Sequence, residues 1–115
     1  MKTIEDRDVI EAFETRLREE LDQTARLIEE SRAYRAPVEL DQQGVGRLSR
    51  MSAMQSQAMV QDITRRRRER KVAIERALSR IRDGEFGYCA ECGEAIAVRR
   101  LEIDPTFEAC VHCAA

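Results

Sequence analysis

Cys89-Ala90-Glu91-Cys92-Gly93, answered further on by Cys110-Val111-His112-Cys113, is the stretch on which the reading of this chain turns. Each Cys-x-x-Cys pair presents two thiolates from one tight turn, and two such turns close a tetrahedron around Zn²⁺. Seventeen residues separate the pairs, enough chain to bring the second turn back onto the first. Gly93 suits a turn with positive φ whose backbone amides face the sulfurs. Four thiolates leave no position for water or substrate, so the pattern predicts one structural Zn²⁺. An iron–sulfur cluster, a redox dithiol and two disulfides are the other chemistries that four cysteines admit. His112 stands inside the second pair as an alternative ligand; an exposed or neighbouring imidazole is its simpler reading.

Between the pairs, Ile96 to Ile103 reads as a short helix or extended arm ended by Pro105. Phe86, Tyr88, Ile96, Leu101 and Phe107 are the residues available to pack around the metal, and they read as core rather than as base-stacking platforms. On the N-terminal side, Asp83-Gly84 marks a helix stop, glycine being favoured just past a helix end.

That helix begins near Leu48 or Ser49, with Ser49 or Ser52 as candidate N-cap. Met51, Met59, Ile63, Ile74, Leu78 and Ile81 recur near one face of it. An earlier helix is predicted over about residues 5–35, because Ile10, Phe13, Leu17, Leu21, Thr24 and Ile28 step by three or four. Pro37 ends it. Residues 37–46 are too few for a domain linker and suit the tip of a hairpin. Two helices of about 30 residues extend on the order of 45 Å at 1.5 Å per residue. The predicted fold is mostly α: an antiparallel coiled-coil hairpin over 1–82, tip about 37–50, joined to a C4 zinc finger over 83–115. The finger should depend on its ion, while the hairpin has an apolar seam of its own.

Composition agrees. The 115 residues are 37% charged and only 4% aromatic, with a mean hydropathy of −0.54, as solvated helices require. Nine bases but only Glu69 and Glu75 occupy residues 65–82, whereas residues 83–115 hold seven acids and two bases. With a turn near 40–44, Arg65 to Lys71 should lie opposite residues 13–23, near Glu19, Glu20 and Asp22. The run then reads as a salt-bridged solvated face, or as a stripe gripping an acidic partner through residues such as Arg66 and Arg70. A net charge of −2 and a pI near 5.6 weigh against a nucleic-acid binder. No membrane span or signal peptide is read from the chain, and clustered reduced thiols fit the cytoplasm. No phosphate loop or nucleophile–base pair is present, and the lone histidine sits in the metal segment, so no enzyme is expected.

The stretch from Asp83 through Cys89, Cys92 and Pro105 to Thr106, closed by Cys110 and Cys113, resembles the zinc finger of the DksA/TraR family of bacterial transcription regulators. Arg68 to Leu78 looks like that family's returning helix. The resemblance implies direct binding to RNA polymerase, with no sequence-specific DNA contact. It further implies a coiled coil inserted in the polymerase's secondary channel, the finger at the rim, and guanosine tetraphosphate as a frequent co-effector at that interface. Family members carry Asp-x-x-Asp-x-Ala at the tip. Counted back from Cys89 without gaps, the matching run is Gly46-Arg47-Leu48-Ser49-Arg50-Met51, so Gly46 and Ser49 replace the two acids and Met51 the alanine, while Arg50 resembles its counterpart. An interaction module with another protein partner, and a nucleic-acid binder using Arg65 to Lys71, are the alternative functions.

Overall fold

The computed structural model describes residues 3–32 and 47–114, with the side chains of 47–53 excepted. The expected tip over Pro37 to Gly46 lies outside the described residues, as do positions 33–35 of the first predicted helix. The protein is mostly helical, with α1 (Arg7–Arg32), α2 (Arg47–Asp83), α3 (Val98–Ile103) and α4 (Val111–Ala114). The long helices α1 and α2 pack together, and each contributes to two compact units: Met1–Asp22 with Val72–Ala115, and Gln23–Lys71. Among the described residues the β pairing is a single antiparallel bridge, Tyr88 with Ala95.

In the first unit, Asp6 starts α1, its carboxylate accepting the Asp8 N–H at 3.0 Å as an N-cap does. The turn before it (Asp6 N–H to Thr3 O, 3.1 Å) folds Ile4 inward. Phe13 and Leu17 of α1 and Ile74 and Ala77 of α2 form one buried cluster with Ile4, Phe86, Cys89, Ile96, Leu101 and Cys110. Phe13 and Phe86 meet at 5.7 Å between ring centroids, tilted by 54°. The predicted α1 stripe and the predicted finger core are therefore two sides of the same interior. At the end of α2, Gly84 takes φ 75°. Its N–H reaches Ile81 O (3.2 Å) and the Glu85 N–H reaches Arg80 O (2.8 Å), the paired bonds of a Schellman stop.

Among the described residues of the second unit, Thr24, Ile28 and Ser31 from α1 and Thr64 from α2 are buried. Ser31 and Thr64 turn their hydroxyls back onto their own helices, to Ile28 O and Val60 O, both at 2.8 Å. Beside them Leu27, Val60 and Ile63 line a groove of about 270 Å³.

Three expectations for α2 are corrected here. Ser49 and Ser52 lie within the helix, which already includes Arg47, so neither is its N-cap. Met59 and Ile63 are exposed, and the inward face runs instead through half-buried Val60 and buried Thr64. Close helix approach favours the small hydroxyl over the larger apolar neighbour. The register differs as well: Arg67 Nη1 donates to Leu27 O at 3.4 Å, so the basic run faces later residues of α1 than 13–23. Arg65 pairs within α2, with Asp62 (2.6 Å) and Glu69 (3.3 Å), and Arg66 pairs with Asp62 at 3.1 Å. Arg65 holds the Asp62 carboxyl below its ordinary range.

Candidate metal centre

The first knuckle follows from two glycines. Gly87, at φ 87°, lets the chain pass so close under Ile4 that a Cβ there would sit 2.7 Å from its Cγ2. Tyr88 then bridges to Ala95, the Cys89 N–H bonds to Glu94 O (2.8 Å), and the Gly93 N–H, at φ 77°, returns to Cys89 O (2.9 Å). The second knuckle is the start of α4, with the N–H groups of Cys113 and Ala114 both turned onto Cys110 O, at 3.1 and 2.9 Å. A bond from Ala90 N–H to Glu108 O (2.7 Å) ties the two together.

This brings the four sulfurs of Cys89, Cys92, Cys110 and Cys113 within 4.8 Å of one another. Cys92 Sγ and Cys110 Sγ stand 3.7 Å apart. A tetrahedron with arms of ~2.3 Å has edges of about 3.8 Å, so the cluster has the dimensions of a site for one Zn²⁺. Cys89 and Cys110 are buried, Cys113 is half-buried and Cys92 is exposed. Such a site is closed to substrate and serves to hold chain segments together.

The bare thiols are not equivalent. Backbone amides, first that of Cys110 and then that of Cys92, lower the Cys89 thiol to about 6. Cys113 is pushed well above its ordinary range by the sulfurs of Cys110, Cys89 and Cys92. The Glu94 amide lowers the Cys92 thiol, but Cys89, desolvation and Cys110 together outweigh it, so this thiol is also raised. Holding a cation therefore requires the raised thiols to give up their protons.

His112 is exposed on α4 and is not part of the sulfur cluster. Phe86, Ile96 and Leu101 are buried around the centre, with Tyr88 and Phe107 packed against them, as their sequence pattern predicts. Sequence reasoning missed three arginines. Arg80 Nη2 donates to Tyr88 O (2.6 Å) and Glu85 O (3.2 Å), and Arg100 Nε donates to Ala109 O (3.0 Å). Arg76 pairs with Glu108 at 2.9 Å. By sequence Arg76 and Arg80 belong to the basic run; the signal that separates them is their place in the last two turns of α2, beside the finger. Arg66 is exposed and Arg70 half-buried on α2, away from the cysteines in sequence and in the other unit. Ser49, Arg50 and Met51 fall in the opening turns of α2, and Gly46 lies outside the described residues.

Fold and site together define a C4 zinc finger built onto the base of two long packed helices. Residues 84–115 match the family model for the prokaryotic dksA/traR C4-type zinc finger. The chain is 34% identical over 110 residues to the RNA polymerase-binding transcription factor DksA of Escherichia coli (strain K12), covering 93% of this chain and 65% of that protein. To the protein of the same name from Haemophilus influenzae it is 41% identical over 63 residues, 53% of this chain and 43% of that one. The chain thus spans slightly less than two thirds of the Escherichia coli relative's length. Transcription factor DksA2 from Pseudomonas aeruginosa has the same fold, with a TM-score of 0.81 at 23% identity over 95% of this chain and 82% of that structure. The resemblance read from the sequence holds: the finger is of the dksA/traR C4 type, and the likeness extends through the helices.

Proposed function

We propose that this chain is a bacterial, cytoplasmic transcription regulator that binds RNA polymerase directly, its coiled coil entering the secondary channel and its finger remaining at the rim. The observation that carries this reading is the length of the likeness: it takes in 93% of the chain, helices and finger alike, with a relative named for binding RNA polymerase. A zinc finger shared alone would support only a common scaffold. The division of labour we propose is a hairpin over 1–82 that probes and a finger over 83–115 that holds, with Cys89, Cys92, Cys110 and Cys113 as zinc ligands. Arg66 and Arg70 are the proposed coil contacts, and Gly46, Ser49, Arg50 and Met51 the tip contacts. Guanosine tetraphosphate acts with it at the polymerase interface, and the protein works by binding rather than by catalysis. No helix among the described residues is long and apolar enough to cross a membrane.

The test is retention of purified core RNA polymerase by the immobilised chain, with Escherichia coli DksA as competitor. Competitive retention is expected, weakened by Arg66→Glu with Arg70→Glu while helical content is unchanged. Free DNA should stay unbound at physiological salt, since a phosphate-driven contact would show steep salt dependence instead. Absence of retention would leave the protein-interaction reading, which the loss of both tip acids at Gly46 and Ser49 favours.

A further inference from the structure

Tyr88 and Ala109 hold equivalent places, each immediately before the first cysteine of a pair. Each gives its carbonyl oxygen to a guanidinium. Arg80 Nη2 donates to Tyr88 O at 2.6 Å and Arg100 Nε to Ala109 O at 3.0 Å, both in half-buried surroundings. Arg80 comes from the last turn of α2 and Arg100 from α3, so one anchor belongs to the long helices and the other to the finger. Each guanidinium is also fixed a second time. Arg80 donates to Glu85 O, while its own carbonyl accepts the N–H groups of Glu85 and Phe86. Arg100 lies over the Phe107 ring, 4.2 Å from the centroid.

We propose that Arg80 and Arg100 are positioning residues of the metal centre, each setting the peptide plane that leads into one knuckle. A carbonyl shares its plane with the next residue's N–H, so fixing Tyr88 O also orients the Cys89 N–H toward Glu94 O. Fixing Ala109 O does the same for the peptide entering Cys110. The bonds are charge-assisted and come from a planar, preorganised donor, which makes them directional as well as strong. Within the folded finger the sulfurs are thereby held together in the arrangement that a tetrahedral ion needs. Once bound, Zn²⁺ with four thiolates carries two negative charges, and nearby guanidinium groups favour that state. Neither arginine is a ligand. Their part corresponds to that of outer partners in other metal sites, whose loss costs roughly 10–100-fold in affinity.

The proposal rests on the four-cysteine metal reading, and the full-length protein tests the two separately. Arg80→Gln and Arg100→Gln are compared with the unaltered chain and with Arg99→Gln, a change at an exposed position of α3. Zinc transfer to a chromophoric chelator gives the affinity, and the ligand-field bands of the Co²⁺-loaded protein report the geometry of the sulfurs. Both variants should lose zinc affinity by roughly 10–100-fold and show shifted Co²⁺ bands, with far-ultraviolet helicity retained and Arg99→Gln unchanged. Arg80→Lys, which keeps charge without the planar fork, should fall between. Unaltered affinity and bands in both glutamine variants would overturn the proposal, as would an equal loss from Arg99→Gln. Should Arg80→Gln lose its helices, Arg100→Gln, which leaves α2 intact, decides in the same way. An unaltered chain that takes up neither Zn²⁺ nor Co²⁺ would remove the metal reading itself, and the proposal with it.

Discussion

The unit that contains the finger and the unit formed by Gln23–Lys71 are lined by different kinds of residue, although α1 and α2 contribute to both. The first buries Leu17, Ile74 and Leu101 completely and adds Phe13, Phe86, Ile96 and two cysteine side chains to the same cluster. Burying a large apolar side chain contributes about 1.5–3 kcal/mol. The second buries Ile28 with Thr24, Ser31 and Thr64. Hydroxyls bonded within their own helix add little across the interface. Among the described residues, the same pair of helices is therefore held by more buried apolar side chains in the first unit than in the second. Segments that must adapt to a partner are commonly drawn from the less stable parts of a fold.

Metal removal should break this contrast most visibly. Chelation is expected to release amide protection over residues 86–110 and also around Phe13, Leu17 and Ile74, whose cluster includes Cys89 and Cys110. Amides near Ile28 and Thr64 should change least. Hydrogen exchange read by mass spectrometry decides: loss confined to the finger would show that the shared cluster does not need the ion.

Zinc affinity should also depend on pH with a known sign. In the folded finger the Cys89 thiol is lowered to about 6, whereas those of Cys92 and Cys113 are raised. Binding must displace at least the protons of the two raised thiols, so affinity should rise by at least about a hundredfold per pH unit near neutrality. It should fall more steeply below about 6, where Cys89 takes up its proton as well. A zinc affinity flat between pH 6.5 and 8, as an order-of-magnitude working range, would contradict the assignment of protonated thiols.

Single apolar truncations come next. Leu17→Ala and Ile74→Ala should each cost about 2–5 kcal/mol in denaturant unfolding of the zinc-loaded protein. Ile28→Ala should lie at or below the low end of that range, because its seam is formed largely by small residues. Equal costs at all three positions would erase the distinction between the units.

Gly87 and Gly93 sharpen the picture within the finger. Both have positive φ, but a Cβ at Gly87 meets Ile4 at 2.7–2.9 Å whereas one at Gly93 meets nothing within 4 Å. Gly93→Ala should cost only the backbone penalty, about 1–2 kcal/mol. Gly87→Ala should cost clearly more and should unseat Ile4, which proteolysis near the N-terminus would detect.

Much of this was legible from residue order. Metal ligation has strict spacing, so the cysteine pattern gave the centre; Asp83-Gly84 gave the helix stop; the α1 stripe gave one side of the core. Other features depend on contacts between residues far apart in sequence. Ile4 precedes the first helix and belongs to no periodic pattern, yet Gly87 is shaped around it. The carbonyl bonds of Arg80 and Arg100 follow from where α2 and α3 end, not from charge, so composition assigned Arg80 to the basic run. In α2 the apolar spacing points to a stripe through Met59 and Ile63, whereas the inward face runs through Val60 and Thr64.

That choice leads to the smallest expected effect. Thr64 is buried, with 6% of its surface exposed, and among the described residues its hydroxyl bonds to Val60 O, one turn earlier in α2. Thr64→Val keeps the branched shape and removes one hydroxyl. Val60 O keeps its place in the helix, since the hydroxyl was an additional donor to it. The substitution should therefore change stability by less than about 1 kcal/mol, in either direction, because removing a locally satisfied hydroxyl is nearly neutral. Thr64→Leu should differ. Its added volume must enter the seam beside Ile28 and Ser31, and overpacking of that kind costs about 1–3 kcal/mol unless the neighbouring groove accepts it. A neutral leucine would mean that the second unit has room to spare and that its helices separate easily. A valine costing as much as Leu17→Ala would mean that the hydroxyl holds the two helices together, and the contrast between the units would be lost.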